Sequence, residues 1–441
     1  MTSTPAAPAP APARAPAKTR RTLLAGSVGN ALEWYDFAIY GFLAPIIAPL
    51  FFPSDDPTAS LLAVYGAFAA GYLARPLGAA LFGYVGDRYG RRVVLLITVT
   101  MMGICSLAIG LLPTAEAIGA TAGLLLLVLR VLQGISVGGE FTGSSVFIAE
   151  TAPPEKRGFY ASFIVAGAVG GFLLGSLVAT ALTNFFDDEA IKDGLWRVPF
   201  MAGILIMGLC AVLRRSVSDA PAHPAQEAAR SPLVDAFTHH WRDLLRIMGL
   251  VIANAVTFYM LFTYAASYLT DIMHVSTATA LDISTLTLVV MLLAPILAAW
   301  VSDKVGRRPL ALLGTGGLVL TAYPFWWLIH HQDPVVILAG QVGMTLVFSI
   351  YVGLIPVMLA ELSKAAVRVS VSSIGYNMTL ALFGGLTPLV VTWLVARTAD
   401  DFVPAYVIML AAAISFATIL FTVPETRGQP LTSRTDERQD P

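Results

Sequence analysis

Ionisable and amide side chains interrupt the long apolar stretches in the N-terminal part of the sequence. A charged group inside a bilayer is costly, so each of these residues is a functional candidate. Removal from water favours the protonated form of a carboxyl group, whereas a nearby guanidinium favours the ionised form. An arginine that moves relative to a carboxyl group could therefore load and unload a proton. The candidates are Glu33, Asp36, Arg75, Arg130, Gln133 and Glu140.

The same residues allow a second interpretation. Glu33 and Asp36 are three residues apart and share one helix face. A carboxylate and an arginine on neighbouring helices could form a fixed ion pair, such as Asp36 with Arg75, that only ties the helices together. We predict proton coupling for the carboxyl groups, and both interpretations stay open for Arg75. A second set at helical spacing is Arg130, Gln133 and Glu140.

The C-terminal part of the sequence has almost no charge inside its apolar stretches, so its candidates are polar and aromatic. Aromatic faces could hold a quaternary ammonium group through cation–π contacts. The alternative is that these side chains only pack or mark the membrane interface. We predict a substrate cavity that uses Asn254, Tyr259, Tyr264, Tyr351 and Asn377.

The composition places these residues in a membrane. Of the 441 residues, 56% are hydrophobic and 12% are charged, against roughly 25% charged in soluble domains. The mean hydropathy is +0.74. The pattern predicts an all-α integral membrane protein with twelve spans, the first over Leu23–Leu50 and the fourth over Gly123–Ala149. Cys105 and Cys210 lie inside apolar runs, so we expect neither a disulfide framework nor a metal site.

The spans divide into two six-helix halves. Between them lies a polar segment with three prolines, which predicts a linker. The predicted division is a disordered cytoplasmic tail 1–21, an N-terminal domain 22–213, a cytoplasmic linker 214–243, a C-terminal domain 244–424 and a short cytoplasmic tail 425–441.

Charge sidedness orients the spans. Nearly all of the 27 lysines and arginines lie in the tails and in alternate loops that share one side. The loops of the opposite side carry acidic residues instead. Because basic loops stay in the cytoplasm, both termini are predicted to be cytoplasmic. The exceptions are Arg75 and Arg130 inside spans, and Lys192, Arg197 and Arg397 on the acidic side.

A short basic turn joins the second and third spans, and a related turn joins the eighth and ninth. The first runs Gly83-Tyr-Val-Gly-Asp87-Arg88-Tyr-Gly90-Arg91-Arg92, and the second runs Ser302-Asp303-Lys304-Val-Gly306-Arg307-Arg308. A second repeated pair is Glu150 with Arg157 and Glu361 with Arg368. Two related halves explain this order, and such repeats are typical of secondary transporters.

At these turns the chain resembles the major facilitator superfamily. The first turn matches the loop signature of that family, whereas the second has Ala299 in place of a glycine and Lys304 in place of an arginine. The resemblance implies two pseudo-symmetric six-helix halves, alternating access and a latch between the halves on the cytoplasmic side. The latch residues it implies are Gly83, Asp87, Arg88, Gly90, Arg91, Arg92, Asp303, Arg307 and Arg308.

Three further stretches resemble the metabolite:proton symporter branch of that superfamily. They are Gly29–Phe37, Ala74–Gly78 and Gly134–Glu140. Within the branch the chain looks most like bacterial proline/betaine transporters, which implies proton symport of a compatible solute. The alternative is symport of di- or tricarboxylates such as citrate or 2-oxoglutarate, for which Arg75 and Arg130 could supply cations. A non-transporting membrane sensor would not need the intramembrane carboxyl groups.

The expected partners follow from these interpretations. They are a small-molecule substrate, a proton as the coupling ion and the lipid bilayer, with no nucleic acid, no cofactor and no metal. The sequence offers no nucleophile–base pair or phosphate-binding loop, so we do not expect an enzyme. We expect a functional monomer in a bacterial-type inner membrane.

Overall fold

The computed structural model describes residues 31, 33–89, 91–137, 140–215, 237–363 and 367–431. Within these residues every regular element is helical, as predicted from the composition. In the described part of the chain, nine helices are long and apolar enough to cross a membrane, and a bent pair of helices at its start makes a tenth span. A shorter apolar helical stretch covers Leu96–Leu111.

Six helices form the N-terminal half and six form the C-terminal half. The first six are α1 (Glu33–Phe42 and Ala44–Phe51), α2 (Pro57–Tyr89), α3 (Arg91–Leu111), α4 (Thr121–Ser136 and Glu140–Thr151), α5 (Arg157–Phe185) and α6 (Arg197–Arg215). The others are α7 (Trp241–Ile272), α8 (Thr277–Val305), α9 (Arg307–Ile329), α10 (Pro334–Glu361), α11 (Arg368–Thr398) and α12 (Val403–Thr422).

Two helices of the N-terminal half are interrupted where the sequence predicted continuous spans. Helix α1 bends by 72° at Leu43, because Pro45 cannot donate a backbone hydrogen bond there. Helix α4 ends its first part at Ser136, and Val137 has extended backbone angles. The part of the predicted fourth span around Arg130 therefore belongs to a separate helical segment from Glu140.

Helices α7 and α11 each contain a wider turn near the middle of the bundle. Met260–Tyr264 in α7 and Leu380–Gly384 in α11 are π-helical segments, and α7 has a second one at Tyr268–Ile272. Such segments are rare and occur frequently at functional sites. They redirect the side chains that follow them.

Glycines allow α2 and α4 to pack with their backbones in contact. A Cβ atom at Gly78 would collide with the carbonyl group of Ile135, and one at Gly134 would collide with that of Gly71. Close approach through small residues is the usual way in which helices associate in a membrane. This contact fixes α2 beside α4, which brings Arg75 and Arg130 into one cluster.

The predicted linker 214–243 is longer than the segment between the two helices that flank it. Helix α6 continues to Arg215, α7 begins at Trp241, and residues 216–236 lie outside the described part of the chain. The first turn of α7 is polar, which is why the sequence placed it in the linker. Asp243 there pairs with Arg246 at 3.2 Å, and an acidic residue stabilises a helix N-terminus.

Contacts between the halves lie at both ends of the bundle. The basic end is the one at which Arg157 and Asp303 lie, and the acidic end is the opposite one. At the acidic end the Thr285 hydroxyl is 2.6 Å from that of Ser176, and the Tyr65 hydroxyl is 2.6 Å from that of Ser267. At the basic end α5 and α8 meet through charged groups described below.

Candidate functional site

Glu33 and Arg75 form an ion pair inside the N-terminal half. Arg75 Nη2 lies 3.5 Å from Glu33 Oε1, and the Arg75 side chain is 1% exposed. Arg75 therefore faces Glu33 and not Asp36, the partner suggested by the fixed-pair interpretation. The pair joins α1 to α2 at the level where both helices are surrounded by apolar side chains.

Asp36 has a different partner, on α3. Its Oδ1 atom accepts a hydrogen bond from the Ser106 hydroxyl at 2.6 Å, and the side chain is buried. The Ser106 hydroxyl also lies 3.2 Å from the Phe200 carbonyl oxygen. The sequence did not indicate Ser106, because a single serine in an apolar run gives no distinguishing signal.

Two buried guanidinium groups lie against one set of aromatic rings. The Arg75 guanidinium is 4.1 Å from the ring centre of Tyr72 and 4.6 Å from that of Phe37. The Arg130 guanidinium is 3.9 Å from the ring centre of Tyr40 and 5.1 Å from that of Phe37. Cation–π contacts away from water are worth about 2 kcal/mol each. The rings thus stabilise charge where water cannot.

The same cluster has unused hydrogen-bonding capacity. Arg130 Nη1 donates to Gln133 Oε1 at 2.6 Å, which confirms that these two residues share a helix face. Among the described residues, several buried atoms of the cluster have no hydrogen-bond partner. Buried groups of this kind are uncommon and call for an explanation such as a functional role. They are Asp36 Oδ2, Arg75 Nε, Arg130 Nε and Nη2, and Gln133 Nε2; Arg75 Nη2 makes no hydrogen bond either but pairs with Glu33 at 3.5 Å.

A cavity lies between the two halves beside this cluster. Five of the thirteen described wall residues are aromatic, and none of the thirteen is charged. Asn254 contributes the one side-chain amide among them. The aromatic wall residues are Trp34, Phe141, Phe258, Tyr259 and Tyr376, and the others are Val165, Ala168, Val169, Asn254, Met291, Val352, Ile355 and Leu380.

Predicted C-terminal site residues separate into two groups. Asn254 and Tyr259 line the cavity. Tyr264 is buried beside Tyr268, with ring centres 6.1 Å apart. Tyr351 packs against Gly314 of α9, and Asn377 donates to the Ser373 carbonyl group one turn earlier. The last three are not part of the cavity wall.

Trp34, Phe141 and Phe258 in the wall were not predicted, whereas Tyr376 is one of the aromatic candidates that the C-terminal part of the sequence offers. Phe141 and Tyr376 stack across the halves with ring centres 4.8 Å apart and an angle of 6°. Phe258 packs edge-on against Trp34 at 5.8 Å. Trp34 lies directly after Glu33 inside a predicted span, and this position is the feature of the sequence that could have indicated it as a site residue. The aromatic pairings themselves join distant parts of the chain and leave no local pattern.

The second basic turn contacts the N-terminal half at the basic end. Asp303 accepts hydrogen bonds from the backbone N–H groups of Gly158 and Phe159, at 2.9 and 2.8 Å, in the first turn of α5. Arg307 pairs with Asp303 at 2.7 Å. An acidic side chain at a helix N-terminus is electrostatically favourable. Asp303 therefore joins the halves directly.

The repeated Glu and Arg pair exchanges partners between the halves. Glu361 of α10 lies 3.3 Å from Arg157 of α5, and Glu150 of α4 lies 2.6 Å from Arg368 of α11. Glu361 also lies 3.5 Å from Arg307. Each acidic residue thus pairs with the arginine of the other repeat. These ion pairs and the contacts of Asp303 together are called the basic latch below.

Residues after α12 extend the basic latch. Glu425 accepts hydrogen bonds from the backbone N–H groups of Arg307 and Arg308. The Thr426 hydroxyl donates to Glu361 at 2.6 Å, and Arg157 donates to the Gln429 carbonyl group at 3.2 Å. The first part of the predicted C-terminal tail is therefore ordered against both halves.

Some predicted site residues cannot be placed in this geometry. Gly90 and the side chains of the other predicted residues of the first basic turn lie outside the described residues, and so does the Glu140 side chain. Within the part of the chain that the structure describes, no group of three or more His, Cys, Asp or Glu residues could hold a metal ion. The predicted residues concerned are Gly83, Asp87, Arg88, Gly90, Arg91, Arg92 and Glu140.

Comparison with known sequences extends these observations. The sequence profile of the Major Facilitator Superfamily matches residues 26–388, and a second match covers 248–439. The proline/betaine transporter of Escherichia coli strain K12 is 35% identical over 436 residues, with 96% of this chain and 87% of that protein covered. The glycine betaine/proline/ectoine/pipecolic acid transporter OusA of Dickeya dadantii is also 35% identical, with the same coverage.

Comparison with solved structures supports the fold. The xylose transporter XylE from E. coli, in a partially occluded inward open conformation, aligns with a TM-score of 0.75 at 20% identity. The alignment covers 93% of this chain and 99% of XylE. At this identity the similarity concerns the fold alone. It confirms the predicted fold class of two six-helix halves.

These matches cover nearly the whole chain and agree with the repeated basic turns, the duplicated helical halves and the cavity between them. They confirm the resemblance found in the sequence. The protein is a multi-pass membrane transporter of small molecules and not an enzyme. The chain belongs to the Major Facilitator Superfamily.

Proposed function

We propose that this protein imports a compatible solute such as glycine betaine or proline by proton symport and alternating access. The observation that carries the proposal is the aromatic cavity, whose described wall has no charged residue. A zwitterion with a quaternary or secondary ammonium group suits aromatic faces. The amide of Asn254 could donate to its carboxylate. The names of the similar E. coli and D. dadantii transporters support the same substrate class.

Proton coupling is assigned to the carboxyl groups of the N-terminal half. Glu33 is buried beside Arg75, and Asp36 is buried beside Ser106. A buried carboxyl group whose cation moves away favours protonation. We propose that rocking of the halves changes the distance between Glu33 and Arg75, and that Asp36, Arg130 and Gln133 support this change. The proton is the one coupling species, and no cofactor takes part.

The remaining assignments belong to the same proposal. The protein acts as a monomer in a bacterial inner membrane, with both termini and the basic end in the cytoplasm, because basic loops resist translocation. The two domains are 22–213 and 244–424, and the basic turns form the cytoplasmic latch between them.

Carriers of di- or tricarboxylates are the alternative. Two or three negative charges need cations in the binding site, since an unpaired buried charge is costly. Arg75 and Arg130 are near the cavity but do not belong to its wall, and their guanidinium groups face Tyr72 and Tyr40. The geometry therefore favours a zwitterion of no net charge.

Uptake into proteoliposomes tests the proposal. Labelled glycine betaine, proline, citrate and 2-oxoglutarate would be supplied separately, with and without an inward proton gradient. We expect betaine or proline to accumulate only with the gradient. Accumulation of citrate or 2-oxoglutarate alone would reject the compatible-solute assignment and retain proton symport. Equal uptake with and without the gradient would reject proton symport.

Replacing Trp34 with leucine should weaken betaine binding. The substitution keeps an apolar side chain but removes an aromatic face from the cavity wall. The expected loss is about 1 to 2 kcal/mol, so the KM for betaine should rise roughly tenfold. The matched control is Trp327→Leu, because Trp327 is 56% exposed on the outer surface of α9. An unchanged KM in Trp34→Leu, measured by initial uptake rates, would contradict the aromatic site.

A further inference from the structure

Two tyrosines, one from each half, lie between the cavity and Arg75. The Tyr259 hydroxyl on α7 donates a hydrogen bond to the Tyr72 hydroxyl on α2, and both side chains are fully buried. Tyr259 lines the cavity. The ring of Tyr72 lies 4.1 Å from the Arg75 guanidinium. The pair therefore connects the cavity wall to the Glu33–Arg75 ion pair through direct contacts.

Two glycines of helix α11 leave room for the rings of this pair. A Cβ atom at Gly384 would lie 2.7 Å from the ring of Tyr259, and one at Gly385 would overlap Tyr72. Both glycines stand at the end of the π-helical segment Leu380–Gly384. Tyr72 is thus enclosed by the C-terminal half although it belongs to the N-terminal half. Movement of one half against the other must change its contacts.

Tyr259 already belongs to the cavity wall, whereas the hydrogen bond between the two hydroxyl groups has no role in the site described above. Its rings pack edge-on with centres 5.1 Å apart, which would stabilise the interface with or without the hydroxyl groups. Yet a phenol hydroxyl that is buried costs about 1 to 3 kcal/mol when it is left without a partner. The bond between the hydroxyl groups therefore makes the position of Tyr72 depend on that of Tyr259.

We propose that the Tyr72–Tyr259 hydrogen bond couples occupancy of the cavity to the Glu33–Arg75 ion pair. A bound substrate contacts the ring of Tyr259, Tyr259 holds the hydroxyl of Tyr72, and the ring of Tyr72 supports the guanidinium of Arg75. Both tyrosines are positioning residues, and neither accepts the proton. This inference rests on the proposed function, because it needs a substrate in the cavity and a proton on a carboxyl group.

Other charged and titratable groups surround the same point. Glu33 is on α1, Arg130 is on α4 and Tyr376 is on α11, and all three act electrostatically on Tyr72 or Arg75. They remain unchanged in variants that remove only the two hydroxyl groups. A change of coupling in such variants is therefore assignable to the bond.

The experiment uses Tyr72→Phe, Tyr259→Phe and the double variant in the full-length protein. Each keeps the ring and loses the hydroxyl. Labelled betaine is measured in two ways: counterflow without a proton gradient and accumulation with one. In Tyr72→Phe, whose side chain lies outside the cavity wall, we expect counterflow within about threefold of wild type and accumulation reduced about tenfold, as expected for a buried hydroxyl left without its partner. Tyr259→Phe should lose accumulation to the same extent, and counterflow is compared only for Tyr72→Phe because Tyr259 lines the cavity. The half-saturation concentration for betaine should also lose its dependence on pH.

The double variant distinguishes a coupled pair from two separate effects. Two groups that act through one bond are not additive, so the double variant should lose no more than either single variant. The matched control is Tyr35→Phe, because the buried Tyr35 hydroxyl donates to the Pro199 carbonyl group within the N-terminal half. That control should keep both activities.

Three outcomes overturn the inference. They are normal accumulation in both single variants, additive losses in the double variant, and equal losses of counterflow and accumulation in Tyr72→Phe, which indicate a structural role. Uptake by the wild-type protein tests the proposed function separately from this inference. If citrate or 2-oxoglutarate is the substrate that wild type accumulates, the compatible-solute assignment fails, and the three variants are then compared with that substrate.

Discussion

Alanine at position 75 should abolish proton-driven accumulation of substrate while the protein still inserts into the membrane. Arg75 pairs with Glu33 at 3.5 Å and lies against Tyr72 and Phe37. Removing one partner of a buried ion pair costs about 3 to 5 kcal/mol, because the other charge loses its compensation. In the variant Glu33 should stay protonated throughout the cycle. We expect accumulation to fall more than about 100-fold, since each 1.4 kcal/mol corresponds to a factor of ten.

Lysine at the same position gives a graded comparison. It keeps the positive charge but lacks the planar guanidinium that stacks on the rings of Tyr72 and Phe37. We expect Arg75→Lys to recover part of the accumulation and less of the maximal rate. The measurement is the ratio of internal to external labelled betaine in proteoliposomes under an inward proton gradient.

The matched control is Arg197→Ala. Arg197 lies at the edge of the apolar region, and its guanidinium donates to the Gly110 and Leu112 carbonyl groups at the end of α3. Its loss should affect helix packing and leave coupling intact. Normal accumulation in a correctly inserted Arg75→Ala protein would show that the Glu33–Arg75 pair is not part of the coupling mechanism.

Most of the fold was predictable because a membrane span is determined by residues that are consecutive in the sequence. A helix in a bilayer needs about 20 apolar residues in sequence, and basic loops mark one side. The repeated turns around Asp87 and Asp303 also revealed the two halves, since the order of residues in each repeat is retained. None of these inferences required knowledge of which helices touch.

The partners of the buried charged residues were less predictable. They depend on how each helix is rotated about its axis and on packing between helices that are distant in the sequence. Glu33 and Asp36 share a helix face, yet one pairs with α2 and the other with α3. The close contacts of Gly78 with the Ile135 backbone and of Gly134 with the Gly71 backbone place α2 against α4 beside Arg75. The sequence shows the glycines but not which backbone each one meets.

The cavity was predicted only in part for the same reason. Asn254 and Tyr259 were expected from their depth in a span, whereas Phe141 and Phe258 resemble ordinary packing residues in the sequence. The interruption of α1 at Leu43 was also missed, although Pro45 was visible, because prolines are often tolerated in membrane helices.

Glutamine at position 361 should release the basic latch. Glu361 lies 3.3 Å from Arg157 and 3.5 Å from Arg307, and its side chain is 3% exposed. Glutamine keeps the size and loses the charge, so two buried guanidinium groups lose a shared anion. We expect the closed basic end to lose about 3 kcal/mol relative to the open form. That change shifts the ratio of closed to open protein by roughly 100-fold.

Thiol labelling measures this shift directly. Cys105 and Cys210 are replaced by alanine, and a cysteine is introduced at Ala149, which is buried beside Ala360 at the basic end. A membrane-impermeant reagent is then applied to the basic side. We expect the labelling rate to rise at least tenfold in Glu361→Gln, because the buried position becomes accessible each time that the halves separate.

Glu150→Gln is the control that decides whether the strength of the basic latch depends on burial of the carboxylate or only on the presence of an ion pair. Glu150 pairs with Arg368 at 2.6 Å, a shorter distance than that of Glu361 to Arg157, but its side chain is 46% exposed. Exposed ion pairs contribute about 0 to 1 kcal/mol because water screens them. If burial sets the strength of the latch, Glu150→Gln should label at nearly the wild-type rate although it removes the closer contact. Equal labelling of both variants would show that the repeated pairs are equivalent and that the interior position of Glu361 does not hold the halves together.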